Sequence, residues 1–283
     1  MCIRDRYLLN HRLEVFCDDG PEALEEREIL EVSGLQRYLI GEDALRRKME
    51  GQDLTELYSI VNAAGQLPHG AVGETLFEDF RHDVERFAEY TAPYREGPKL
   101  DPLEVDLDIA GIRLVGRIEV IYQDRMLRYR YGQLRPEDYL TLWIQHIIEN
   151  IIAPVDYPRT SMAAGLQKDR KSWMSVTFNP VENGEEILTG LLGHYRAGLV
   201  RPLAFFPRSS WTYVEYVLEK GKEREDAVAR ARTEWLGSEY SRGEGEDLYY
   251  RQCFQYVDPF DDEFCRVAED ILEPVLTCRD EVK

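Results

Sequence analysis

The sequence predicts an α+β fold, a short strand meander surrounded by helices, and three observations carry that expectation. Apolar and polar residues alternate from Leu103 to Val120, the period of strands. The segments on either side carry apolar residues at helical spacing. Pro136 then opens a long amphipathic helix directly after the strands, so strands are grouped together with helices around them.

Taken in chain order, Met1-Cys2-Ile3-Arg4-Asp5-Arg6 shows neither period and is similar to a translated sequencing-adapter tag. Residues 1–6 are therefore read as non-native, with the true start expected further upstream. The chain enters directly into an apolar-rich segment, Leu8 to Phe16. Residues 7–98 form a helical lead-in, in which Leu35, Tyr38 and Leu39, then Ala44, Leu45 and Met49, mark two or three short helices. Three glycines and Pro68 between Ala63 and Glu74 interrupt them, and Leu76, Phe77, Phe80, Val84 and Phe87 define a further helix to about Tyr90.

Residues 99–283 make the second unit. Leu103, Val105, Leu107 and Ile109 form one strand, and Ile112, Leu114, Gly116, Ile118 and Val120 the next, with Ala110-Gly111 as the turn. Gln123-Asp124-Arg125 separates these from Met126–Tyr131, which completes a three-stranded meander. In the Pro136 helix Tyr139, Leu142, Trp143, His146, Ile147, Asn150 and Ile151 share a face. Trp173–Phe178 reads as a strand, and Ile187, Leu188, Leu191, Leu192 and Tyr195 as a helix ending near Gly198. After Pro207 the tail is helical.

Composition excludes several function classes. With 35 Lys plus Arg against 54 Asp plus Glu, the formal charge of −19 repels phosphate at long range, so any DNA contact must be local or shared with a partner. Five cysteines, none in a CxxC pair, suggest neither a disulfide framework nor a thiolate zinc site, and fit a reducing cytoplasm. No run of 18 apolar residues exists to span a bilayer, and the chain is expected to be soluble and cytoplasmic. A Gly-x-x-x-x-Gly-Lys-Ser/Thr loop is absent, which removes that route to ATP. No histidine pair has metal-ligand spacing, and His146 reads as core or interface. Ser209-Ser210 lacks a Gly-x-Ser-x-Gly elbow and reads as a helix N-cap. Trp143, Trp211, Trp235 and Phe205-Phe206 read as core, with Phe205-Phe206-Pro207 as an alternative anchor for a partner.

Residues 105–150 run strand, Gly116-Arg117-Ile118-Glu119, strand, basic pair, helix, and this order resembles the core of RecB-type nucleases of the PD-(D/E)xK superfamily. Active members bring an Asp of a Gly-x-Ile-Asp strand together with the Asp and Lys of an Asp-Tyr-Lys-x-Gly strand. The carboxylates hold Mg²⁺ and the Lys activates water. Here Glu119 takes the first position, and Arg128-Tyr129-Arg130-Tyr131-Gly132 replaces the ligand Asp by Arg128 and the Lys by Arg130. A guanidinium offers no lone pair and stays charged, so Arg128 repels a metal ion and the resemblance implies an inactivated nuclease-like core.

Further segments resemble the C-terminal region of RecC-like gamma subunits of exodeoxyribonuclease V: Glu31–Tyr38, Gly65–Gly70, Arg128–Gly132, Gly198–Trp211, Ala231–Gly237 and Asp258–Phe264. That resemblance, over about residues 7 to 275, implies a non-catalytic subunit of an ATP-dependent helicase-nuclease acting in double-strand-break repair by recombination. It implies RecB-like and RecD-like partner subunits that use ATP and Mg²⁺, no cofactor in this chain, and handling of a DNA end or fork. The alternatives are an active metal-dependent nuclease with its ligands registered differently, and a domain that binds protein only. Arg125, Arg128, Arg130 and Arg135, interleaved with Tyr129 and Tyr131, are the DNA-binding candidates. Alternation sets the two arginines of the strand on one face and the tyrosines on the other. They read equally as phosphate contacts and as a solvated face with ion pairs. Lys168-Asp169-Arg170-Lys171 reads as a charged loop or a second basic patch.

Overall fold

In a computed structural model, which describes residues 6–17, 32–167 and 172–282, the period-two stretch folds as a hairpin. Strand β1 (Leu103–Ile109) pairs antiparallel with β2 (Ile112–Ile118). Its turn residues Ala110 and Gly111 both have positive φ, 49° and 69°, the geometry that matches the twist of two-residue hairpins. Leu103, Val105 and Ile118 are buried on one face, while the other carries the ion pairs Asp106–Arg113 (2.7 Å) and Glu104–Arg117 (3.4 Å).

The expected meander stops there. β3 (Met126–Gln133) meets the hairpin's extension through the Ile121–Met126 bridge and the bond from Leu127 N to Val120 O (2.9 Å). It then pairs parallel with β4 (Ser161–Leu166). Parallel neighbours need a long crossover, and α4 (Pro136–Ile152) supplies it. The driving force is burial on both faces of the sheet: Met126 enters one hydrophobic core and Tyr131 another. β5 (Trp173–Phe178) and the last strand, β6 (Arg279–Val282), follow antiparallel, giving the order β3-β4-β5-β6.

That sheet is a wall between two cores. On one side lie the lead-in helices α1 (Gly34–Met49), α2 (Thr55–Ala63) and α3 (Ala71–Thr91). Phe77, Phe80, Val84 and Phe87 of α3 meet Tyr131 and Ala164 there, and the Phe87 and Trp173 rings are 4.4 Å apart. α1 begins with a capping box, in which Ser33 Oγ accepts from Gln36 N and Gln36 Oε1 from Ser33 N. Its buried face is Ile40, Gly41, Ala44 and Leu45; the expected stripe members Leu35 and Leu39 are 68% and 56% exposed. Ala44 and Leu45 set the stripe, and Leu35 and Leu39 fall outside its arc. Gly41 permits the closest approach: a Cβ there would stand 2.0 Å from the Tyr131 ring.

On the other side α4 packs with α5 (Gly184–Gly198), α6 (Pro207–Leu218) and, beyond α7 (Arg224–Leu236) and α8 (Leu248–Phe254), with α9 (Asp262–Thr277). Trp143, Phe178, Phe206 and Phe264 are fully buried here, so Phe205-Phe206 belongs to the core. Ser209 and Ser210 are buried within the first turn of α6 and are not its N-cap, which is Phe206. The carboxylate of Glu244 does the capping instead, accepting from Arg208 N (3.0 Å), Ser209 N (2.8 Å) and Ser209 Oγ (2.8 Å). Burial pushes that carboxyl above its ordinary range. Arg279 fastens β6, lying 4.9 Å from the Trp211 ring centroid and 2.7 Å from Glu219. Among the described residues no helix is long and apolar enough to cross a membrane.

Candidate nucleic-acid interface

Glu119 lies just past the end of β2, exposed. Counting outward from the Ile121–Met126 bridge brings it level with Arg128, which pairs in register with Ala163 of β4 and is half-buried. The acid that resembles the first nuclease position thus lies in the connection after β2, and the arginine that resembles the second lies within β3. Among the described residues no group of three or more His, Cys, Asp or Glu is arranged to hold a metal ion.

Arg130 is committed to protein. Its Nη1 donates to both carboxylate oxygens of Asp138 at 2.9 and 3.2 Å, and its guanidinium lies 4.8 Å from the Tyr38 ring centroid. Asp138 also accepts from Arg135 N at 2.9 Å, closing the first turn of α4. One carboxylate therefore fixes both the arginine of β3 and the helix start. Gly132 lies against the arginine: a Cβ there would come 3.3 Å from Arg130 Nε. On the opposite face Tyr131 N donates to Glu42 Oε1 (2.9 Å) and Tyr131 Oη to Asp83 Oδ2 (3.2 Å). Burial, with the Asp83 charge beside it, pushes the Tyr131 phenol up, and burial likewise raises the Glu42 carboxyl. Tyr129 and Tyr131 both pack with the lead-in core, and a register shift follows Tyr129 where the strand leaves β4.

Arg130 and Arg135 line one cleft of about 410 Å³, and Arg125 and Arg128 do not. Arg125 is at the far end of β3, 5.2 Å from the Tyr94 ring centroid with Nη1 3.7 Å from Met162 Sδ. The cleft's third arginine is Arg37, from the first turns of α1, with Asp83 as the acid among its lining residues. Arg37 escapes sequence reasoning because 93 residues separate it from Arg130. A signal did exist: two of the segments that carry the RecC-like resemblance, Glu31–Tyr38 and Arg128–Gly132, meet at this cleft. The basic run Lys168–Lys171 lies outside the described residues.

A second polar group is closed to solvent. His146 and Glu149 of α4 and Ser161 of β4 are fully buried. His146 Nε2 lies 2.9 Å from Asn179 O and Nδ1 2.8 Å from Ser161 Oγ, which is 3.1 Å from Glu149 Oε2. Burial pushes the Glu149 carboxyl up to about 8 and the His146 imidazole down to about 4. At neutral pH the set is uncharged: Glu149 donates to Ser161, Ser161 to His146 Nδ1, and His146 Nε2–H to the carbonyl. His146 is a core residue.

Residues 5–218 match the family model described as the RecC C-terminal domain. The chain belongs to that family. The similar curated proteins include the RecBCD enzyme subunit RecC of Escherichia coli (strain K12), 27% identical over 264 residues, which cover 90% of this chain and 23% of that protein. The RecBCD enzyme subunits RecC of two Buchnera aphidicola subspecies, from Schizaphis graminum and Acyrthosiphon pisum, are each 21% identical over 280 residues, 96% of this chain and 25% of theirs. The chain spans about a quarter of the length of these RecC proteins.

Proposed function

We propose that this RecC-type domain is a non-catalytic part of a RecBCD-type helicase-nuclease acting in double-strand-break repair, built on an inactivated nuclease-like core. One observation carries the reading: Arg128 and Arg130 stand where a related nuclease needs a metal-binding Asp and a Lys, and Arg130 is held by Asp138 and Tyr38. A fixed guanidinium at that place disfavours a divalent cation and favours an anion. The order β1, β2, β3, α4, β4 supports the nuclease-like core. RecB-like and RecD-like subunits are the partners in this reading, supplying the chemistry that uses ATP and Mg²⁺ in the cytoplasm, while this domain contributes assembly and contact with a DNA end or fork.

The test is a labelled forked duplex titrated with the chain, with and without a RecB-like partner and Mg²⁺, following anisotropy and strand cleavage together. The expected outcome is fork binding without cleavage by the chain itself. Metal-dependent cleavage by the chain alone would replace the proposal by an active nuclease; partner binding without any gain in DNA affinity would leave a protein-only adaptor.

A further inference from the structure

We infer that the cleft between α1, β3 and the start of α4 is a phosphate clamp for a DNA strand, closed by Arg37 from the lead-in helices and Arg135 from the sheet side; this rests on the DNA-handling reading above. The cleft's lining residues include three arginines and a single acid, Asp83, in a chain whose formal charge is −19. Asp138 already neutralises Arg130, so the excess that draws an anion is the two exposed guanidinium groups of Arg37 and Arg135, set against Asp83, in a surface that otherwise repels phosphate.

The three cations have different parts. Arg130 is largely enclosed and neutralised by Asp138, and its Nε is buried with no acceptor among the described residues. It gives the floor its shape and one unspent donor. Arg37 and Arg135 are exposed, Arg37 with its guanidinium 5.1 Å from the Phe80 ring centroid and its donors free of any ion pair among the described residues, and neither is paired with Asp83, which accepts from the Tyr131 hydroxyl. They stand on elements from the two sides of the sheet, so a phosphate between them bridges both cores. Arginine suits this task because its planar donor fork grips two phosphate oxygens at once. The ligand is a phosphodiester of DNA, held through its backbone, so affinity depends on salt and little on base sequence.

The experiment titrates a labelled single strand and a labelled duplex with the full chain at several salt concentrations, comparing the native sequence with R37Q/R135Q. Losing both contacts is expected to reduce the slope of log affinity against log salt by about 2 for duplex, and slightly less for single strand. R242Q/R266Q removes the same charge from exposed residues elsewhere, Arg242 and Arg266, and is expected to leave the slope unchanged. Equal loss in both double variants would mean that only net charge matters and would overturn the clamp, as would the absence of DNA binding at low salt. Displacement of DNA by millimolar inorganic phosphate would reduce the site to a free-anion site and also overturn it. Cleavage by the chain would refute the non-catalytic reading while leaving the clamp intact. Binding unaffected by R37Q/R135Q would do the reverse.

Discussion

Replacing Glu149 by glutamine should make the stability of this protein less sensitive to pH in a window where the native sequence loses it. Glu149 is fully buried, its Oε1 has no hydrogen-bond partner among the described residues, and its carboxyl titrates near 8 instead of 4.5. A carboxyl whose folded pKa is raised keeps its proton in the native state while the unfolded chain has lost it. Native protein therefore binds more protons than unfolded protein between those two values, and stability falls as pH rises through them. The His146 imidazole, lowered from 6.5 to about 4, has the opposite slope, which is halved at pH 6.5 and fades above it. From about pH 6.5 to about 8 the carboxyl dominates, and integrating its titration gives a loss of about 1.5 kcal/mol, about a quarter of which the imidazole offsets in both proteins alike. Urea unfolding followed by tryptophan fluorescence at the two pH values measures it, with Trp143 5.6 Å from the His146 ring as a nearby reporter. Glu149→Gln keeps a donor for Ser161 Oγ and cannot ionise. The difference between the two proteins should therefore widen by about 1.5 kcal/mol towards pH 8. Parallel pH profiles for the two would falsify the protonated-carboxyl relay.

Three other substitutions test the packing around the cleft and the tail. Gly41→Ala places a methyl within the Tyr131 ring, so α1 must lift from β3; a loss of about 1–3 kcal/mol in denaturant unfolding is expected, together with weaker DNA binding as Arg37 moves. An Ala variant as stable as the native protein would show that α1 does not lie where it is described. Asp138→Ala leaves Arg130 enclosed without its counter-charge and Arg135 N without its acceptor, and should cost about 3 kcal/mol, whereas a change below about 0.5 would mark the pair as solvated. Glu244→Ala strips three donors at the start of α6 of their acceptor, and an expected loss of about 2 kcal/mol is readable as a lowered melting temperature. An unchanged melting temperature would mean that water replaces the cap.

The readable parts of the fold are those in which local pattern and tertiary role agree. The β1–β2 hairpin, β5, the start of α4 at Pro136 and the span of α5 to Gly198 follow directly from alternation, proline and glycine. β4 did not, because Ser161-Met162-Ala163-Ala164-Gly165-Leu166 has no β-branched or aromatic residue, and its strand character comes from being enclosed between β3 and β5. Without β4 the parallel partner of β3 was invisible, so a meander was the local solution. β6 was hidden in the same way by its four-residue length in a helical tail. Of the candidate arginines, Arg130 and Arg135 meet in the cleft, while Arg125 is spent on Tyr94 and Met162. Sequence spacing orders residues along a strand, but the approach of Arg37 depends on where α1 docks, and that is set by the fit of Gly41 to Tyr131.

The wall shared by two cores also sets a schedule for synthesis. Emerging from the ribosome in order, α3 presents Phe77, Phe80, Val84 and Phe87 before the Tyr131, Ala164 and Trp173 that will cover them exist. Some forty to ninety residues of further translation separate the helix from its cover, and at roughly 5–20 residues per second that is a delay of seconds. During that interval α1 and α2 are present to pack against that aromatic face, and the part of it that faces the sheet stays uncovered until β3, β4 and β5 arrive.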